Sequence, residues 1–212
     1  MLSKHTRCLS PLIAGRLGAV ALVAKRGQPL FFERFGFKSV KNQRMPEPGP
    51  MQLDTVFDLG ALTMPVVTAT LCMKLMENSK LRLEDKVARY DQLFAVFGKS
   101  QITIAHLLSH TAGLAHWHPF FEELLKAHMG ARRGILTSRG ARDYVFNAID
   151  RSHLKFEPGS KQVFSDLGFM LLGHLIELLT GYNLERAAQK YIFQPLGMKS
   201  TSYIDLSLIK RR

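Results

Sequence analysis

Hydroxyls and imidazoles are the groups through which this sequence could act on a substrate, and few of them stand in a pattern. Ser165 and Asp166 are adjacent. A serine hydroxyl becomes a nucleophile when a neighbouring base takes its proton and a third group orients that base. Ser-Asp directly before a helix is also the composition of an N-cap, in which the serine oxygen accepts a backbone N–H. The cap is the preferred reading. His116 and His118 flank Trp117 as a His-x-His pair. Two imidazoles can begin a metal site, but no carboxylate or cysteine follows at a known ligand spacing, so a surface loop is expected. Thr63 carries a hydroxyl with no lysine beside it and is expected to be buried or capping. Arg132, Arg133, Arg139 and Arg142 are expected to form a solvated face rather than an anion site. No metal ion and no cofactor are expected.

The bulk properties narrow the field. The chain has 212 residues, of which 46% are hydrophobic and 22% charged. That is the composition of a globular chain with a sizeable core. Cys8 and Cys72 are too few for a disulfide framework, and Cys72 is expected to be a small buried hydrophobe on a helix. The formal net charge is +12, with nine Lys/Arg against two acids in residues 1–50. Such an excess favours weak association with polyanions. No basic block with interleaved aromatics accompanies it, so no specific nucleic-acid partner is expected. No apolar run reaches the roughly 18 residues of a membrane span. Lys4 and Arg7 precede a mildly apolar Leu9–Ala14, but Arg16 interrupts it. A secretory signal is therefore not expected, and a cytoplasmic location is.

Elements must position whatever chemistry exists. The apolar run 18–24, the Arg26-Gly27 turn and the aromatic run 30–37 predict a β-hairpin. Residues 38–54 are polar and proline-bearing and predict a loop. Leu62, Val66, Ala69, Met73 and Met76 recur at steps of three and four, predicting a long helix that buries this face. Pro65 fits its first turn, where a missing N–H costs little, and Asn78-Ser79 end it. Residues 81–90 read as a connector with a helical turn. Further helices are predicted over 103–109, capped by Thr103, and over 120–128, 138–149, 166–179 and 183–191. The expected class is α/β (α+β): one hairpin followed by a mostly helical body.

Six pieces, in order, resemble one known family, the serine β-lactamase, D-alanyl-D-alanine peptidase and esterase group. They are GAVALVAKRG, TVFDLG, KLRLEDKVARY, ITIAHLLSHTAGL, FEPGSKQVFSDLGFMLLGHLIELLTG and IFQPLGMKST. The resemblance runs from about residue 12 to about residue 204. It implies a β-lactamase/transpeptidase-like fold, with 1–212 as one domain that is incomplete at its C-terminus and lacks the later sheet strands. In the family, Ser-x-x-Lys opens the long helix. The three-residue step sets the lysine on the serine's face, where it can manage the serine proton. The resemblance aligns that motif with Ala61-Leu62-Thr63-Met64. A methyl group cannot attack a carbonyl, and a thioether carries no exchangeable proton. The family's second motif, Tyr-x-Asn or Tyr-Ser-Asp, aligns with Phe164-Ser165-Asp166. Phe164 keeps the ring and lacks the hydroxyl needed for acid–base work. The third motif, Lys/His-x-Gly, lies beyond this chain. His110, in SHTAGL, is expected to shape the site wall.

These substitutions predict an inactive homologue, or a fragment, that binds a peptide, a cell-wall-like fragment or a protein partner through a remnant cleft. The rival expectation is a serine hydrolase, an esterase or penicillin-interacting enzyme, with another nucleophile. A third is an incomplete product with no function of its own. The 18–37 hairpin, lacking covering strands, is expected to be a point of self-association.

Overall fold

The computed structural model describes residues 18–39, 47, 49–127 and 138–204. Cys8, Leu9–Ala14, most of the proline-bearing loop, His128, Arg132, Arg133 and Lys210–Arg212 lie outside the described residues. The chain divides into two compact units, Met1–Asp58 and Leu59–Arg212.

The first unit is built on strands β1 (Ala19–Lys25) and β2 (Gln28–Phe35), paired antiparallel. Arg26 and Gly27 both have positive φ, 51° and 77°, the twist that a two-residue hairpin turn requires. A register shift between Val23 and Ala24 leaves Leu30 without a cross-strand partner, which places Pro29 where its missing N–H does least harm. One face carries Val23 opposite Phe31 and Ala19 opposite Phe35, with the two phenyl rings stacked at 6.5 Å. The other carries Leu22 opposite Phe32. Both faces thus carry apolar pairs, with Glu33 on the first and Arg34 on the second, and Leu22, Val23, Leu30 and Phe32 are exposed. The Arg34 guanidinium ties the following segment to β2 by donating to the Met51 carbonyl at 2.8 Å and to Gln52 Oε1 at 2.6 Å.

The second unit is helical. After a 3-10 turn at Gly60–Leu62 come a π-helical segment, Met64–Ala69, and helix α1 (Thr70–Glu77). Here the structure corrects the expected face. Val67, Leu71, Cys72 and Leu75 are buried; of the expected face, Val66, Ala69 and Met76 are half-buried against the core, whereas Leu62 and Met73 are 59% and 60% exposed. Two physical reasons combine. Apolar residues also recur at 67, 71, 72 and 75, so periodicity alone could not choose between two neighbouring faces. The wider π turn then shifts the residues before it relative to those after it. Pro65 sits in the first turn of the π segment, and its carbonyl accepts the Thr70 hydroxyl at 2.9 Å. Cys72 is buried as expected, and burial pushes its thiol up to about 12.

The remaining helices match the predicted ones closely. Helix α2 (Ile104–Leu108) is capped by Thr103, whose hydroxyl accepts the His106 N–H while His106 Nδ1 accepts the Thr103 N–H. Helices α3 (Phe120–Ala127) and α4 (Arg139–Arg151) follow, the latter capped by Ser138. Helix α5 (Asp166–Thr180) is the hub, with Leu171, Leu172, Leu175 and Ile176 fully buried. Each such side chain stabilises the fold by about 1.5–3 kcal/mol through burial alone. Gly181, at φ 72°, ends it in the left-handed conformation that favours glycine. Helix α6 (Leu184–Ala188) is shorter than predicted and widens into a second π segment, Gln189–Phe193. No single described helix is long and apolar enough to cross a membrane. The bent pair Asp166–Thr180 and Leu184–Phe193 has suitable length and composition, but most apolar side chains of α5 are packed in the core.

Candidate functional site

The N-terminus of α5 gathers most of the residues singled out in the sequence. Ser165 is its N-cap: the hydroxyl accepts the Gly168 N–H at 3.3 Å and donates to the Ala115 carbonyl at 2.7 Å. Its own N–H donates to His110 Nδ1 at 3.1 Å. That bond requires His110 to hold its proton on Nε2. Burial pushes the His110 imidazole below its ordinary value, against the opposing charge of Asp166, so the ring is neutral at pH 7. On the other side, His116 Nδ1 lies 2.7 Å from the Phe164 carbonyl. A carbonyl can only accept, so His116 carries its proton on Nδ1. The Asp166 N–H closes the arrangement on the His116 carbonyl at 2.9 Å.

Phe164 stands between these two imidazoles, its ring centroid 4.7 Å from His110 and 5.5 Å from His116. It remains 40% exposed. His110 also packs on Phe169 at 4.9 Å. The loop holding His110 is braced by backbone bonds from Val163 to the His110 carbonyl at 2.9 Å and from Lys155 to the Gly113 carbonyl at 2.8 Å. His110 adopts φ +57°, a left-handed conformation that costs a residue with a side chain about 1–3 kcal/mol and persists only where the surroundings impose it. Gly113, at φ +80°, passes so close to residue 156 that a Cβ there would overlap the Phe156 carbonyl oxygen. Glycine at this position is therefore a steric requirement.

Ala61 and Met64 lie on the neighbouring segment, Ala61 exposed in the 3-10 turn and Met64 half-buried against the core. The π segment that begins at Met64 packs on α5. Thr63 is half-buried between the two turns, and no base adjoins it in sequence. The structure thus brings Phe164, Ser165, Asp166, His110 and His116 together, and puts Met64 on the segment that packs on α5, with Ala61 in the 3-10 turn before it.

His118 faces elsewhere, its Nε2 2.9 Å from Glu123 Oε1, and Tyr144 donates to the other oxygen of that carboxylate at 2.8 Å. The two rings of the His-x-His pair therefore serve different partners. Arg142 is exposed, as expected of a solvated face, but it is not unpartnered. It reaches from α4 to α5, pairing with Glu177 and donating to His174 Nδ1 at 3.2 Å. Sequence reasoning missed this cluster. The trace was there: His174 and Glu177 are the polar interruptions within an otherwise apolar helix.

A model of the beta-lactamase family matches residues 6–211. A protein carrying the provisional name D-alanyl-D-alanine carboxypeptidase, from Escherichia coli O157:H7, is 31% identical over 198 residues, covering 90% of this chain and 44% of that protein. Esterase EstB of Burkholderia gladioli is 31% identical over 192 residues, covering 89% and 47%. The structure of EstCE1, described as a hydrolase with promiscuous acyltransferase activity, superposes with a TM-score of 0.70 at 27% identity, covering 92% of this chain and 51% of that one. The chain spans less than half the length of the two curated relatives. Both the resemblance read from the motifs and the β-lactamase/transpeptidase-like fold stand on these matches, and the chain belongs to the beta-lactamase family.

Proposed function

We propose that this chain performs no acyl-transfer chemistry and acts as a binding homologue within a family of serine hydrolases. Its partner would be a peptide, a cell-wall-like fragment or a protein surface. The observation that carries the reading is the set Ala61, Met64 and Phe164, which stand where the family motifs call for serine, lysine and tyrosine. Acyl transfer needs a nucleophile and a group to take its proton. A methyl, a thioether and a phenyl ring supply neither.

The competing reading, a hydrolase with another nucleophile, has little support around α5. The Ser165 hydroxyl is committed on both sides, to Ala115 and Gly168, and His110 meets a backbone N–H there and not that hydroxyl. Thr63 is the hydroxyl nearest to Ala61 and Met64 in sequence. Turnover of a chromogenic cephalosporin and of a p-nitrophenyl ester tests both readings. The expected rate equals that of buffer. Turnover that scales with protein and disappears in Thr63→Ala would establish the hydrolase reading instead.

A further inference from the structure

A groove of about 310 Å³ runs between α4, α5 and the start of α6, and shares Phe169 with the surroundings of His110. Val145, Phe146, Phe169, Met170 and Leu184 form its apolar walls, and Arg142, His174 and Glu177 supply its polar atoms. The volume falls within the range of small-molecule sites.

The polar atoms are not equivalent. Both Glu177 oxygens are occupied, one by Arg142 and the other by the Leu184 N–H at 2.7 Å. His174 Nδ1 accepts from Arg142, which puts its proton on Nε2. Burial, with the adjacent Arg142 charge, holds His174 below the ordinary imidazole range, against the charges of Asp91 and Glu177. The ring is therefore a neutral donor. Its Nε2–H and the remaining guanidinium N–H groups of Arg142 have no partner among the described residues. The unpartnered N–H groups of the groove are thus those of Arg142 and His174, while each Glu177 oxygen already accepts one hydrogen bond. The Phe146 ring stacks on His174 at 4.3 Å, and the Arg142 guanidinium lies 5.4 Å over that ring. These contacts hold the two donor groups in place beside the apolar walls.

We infer that this groove binds a small carboxylate with an apolar body, an aryl- or alkyl-carboxylic acid. The carboxylate would accept from Arg142 and His174, and the body would lie along Phe146, Phe169 and Met170. An ionised acceptor is favoured over a neutral one because hydrogen bonds from a guanidinium to a carboxylate are charge-assisted and frequently bidentate. This inference is independent of whether acyl chemistry has been lost around Ala61.

Isothermal titration of the full chain with 4-phenylbutanoate and with 4-phenylbutanamide separates charge from bulk. The acid should bind about tenfold more tightly than the amide, an order set by one charge-assisted contact. Arg142→Gln should collapse that ratio towards one while leaving amide binding within about twofold. Met170→Trp, which fills the groove from the partly exposed face of α5, should weaken both probes. Because Arg142→Gln could disturb α4 by releasing Glu177, Met170→Trp and the acid-to-amide ratio of the unmodified chain decide the matter without it. Equal affinity for acid and amide, binding unaffected by Met170→Trp, or no heat from either probe would overturn the inference.

Discussion

Ser165 and Asp150 are buried alike, at 4% and 6% exposure, yet their surroundings treat them in opposite ways. The hydroxyl and the N–H of Ser165 both have partners, in Ala115, Gly168 and His110. Asp150, on α4, has a carboxylate oxygen, Oδ1, with no hydrogen-bond partner among the described residues. Lys99, fully buried, exerts an attraction on it but spends its ammonium on the Ser152 carbonyl at 2.6 Å and on the faces of Phe94 and Phe97. The first arrangement locks a loop to a helix. The second leaves a charge poorly compensated, so it must titrate. A buried polar group stabilises when its hydrogen bonds are complete and costs free energy when they are not.

The comparison is broken most directly through pH. Burial, reinforced by the charge of Asp91, pushes the Asp150 carboxyl up to about 6 from an ordinary 3.8. The folded state therefore binds this proton more tightly than the unfolded state. The stability it contributes is present below about pH 4 and is lost as pH rises through about 6. The effect is on the order of 3 kcal/mol across that window. Chemical denaturation from pH 4 to pH 8 should show this component as a falling slope, and Asp150→Asn should remove it. An unchanged slope in the variant would mean that Asp150 finds a partner in solution.

Gly113→Ala comes next. It combines a left-handed backbone with an overlap on the Phe156 carbonyl, and should cost about 2–3 kcal/mol in denaturant midpoint analysis. Ser165→Ala should cost about 1–2 kcal/mol, the loss of a cap together with a buried carbonyl left unpaired. A neutral Ser165→Ala would show that the bonds around it are not coupled. The smallest effect concerns the hairpin. Its exposed Leu22 and Phe32 lie on a two-stranded sheet that has no further partner among the described residues. Sedimentation should detect weak self-association at tens of micromolar protein, reduced in Phe32→Lys. A monodisperse monomer would count against the hairpin as a contact.

Much of the fold was legible because local rules agreed with tertiary ones. Ser165 before DLGFMLLGHLIELL, with Gly181 after it, specifies a start, a buried body and a stop for α5 without reference to any other element. The face of α1 was only partly legible, since apolar residues recur on more than one side of the segment and a π turn shifts whatever register is assumed. Lys99 could not be read as buried, because its cage is assembled from Phe94, Phe97 and a carbonyl 53 residues away. The polar shell of Phe164 was likewise invisible. His116 lies 48 residues from it, and nothing local predicts that the two meet. The positions Ala61, Met64 and Phe164 acquired meaning only through resemblance to a family, since as side chains they are three apolar groups among many.

That meaning can be extended by restoring groups. Ala61→Ser alone should gain no measurable acylation, because residues that act as a unit are strongly non-additive and Met64 and Phe164 would still offer no proton acceptor. The most direct measurement is intact-mass spectrometry of the unmodified chain after incubation with excess penicillin, with peptide mapping of any adduct. The account predicts an unshifted mass. A stoichiometric shift equal to one penicillin, mapped to a hydroxyl such as that of Thr63, would contradict it.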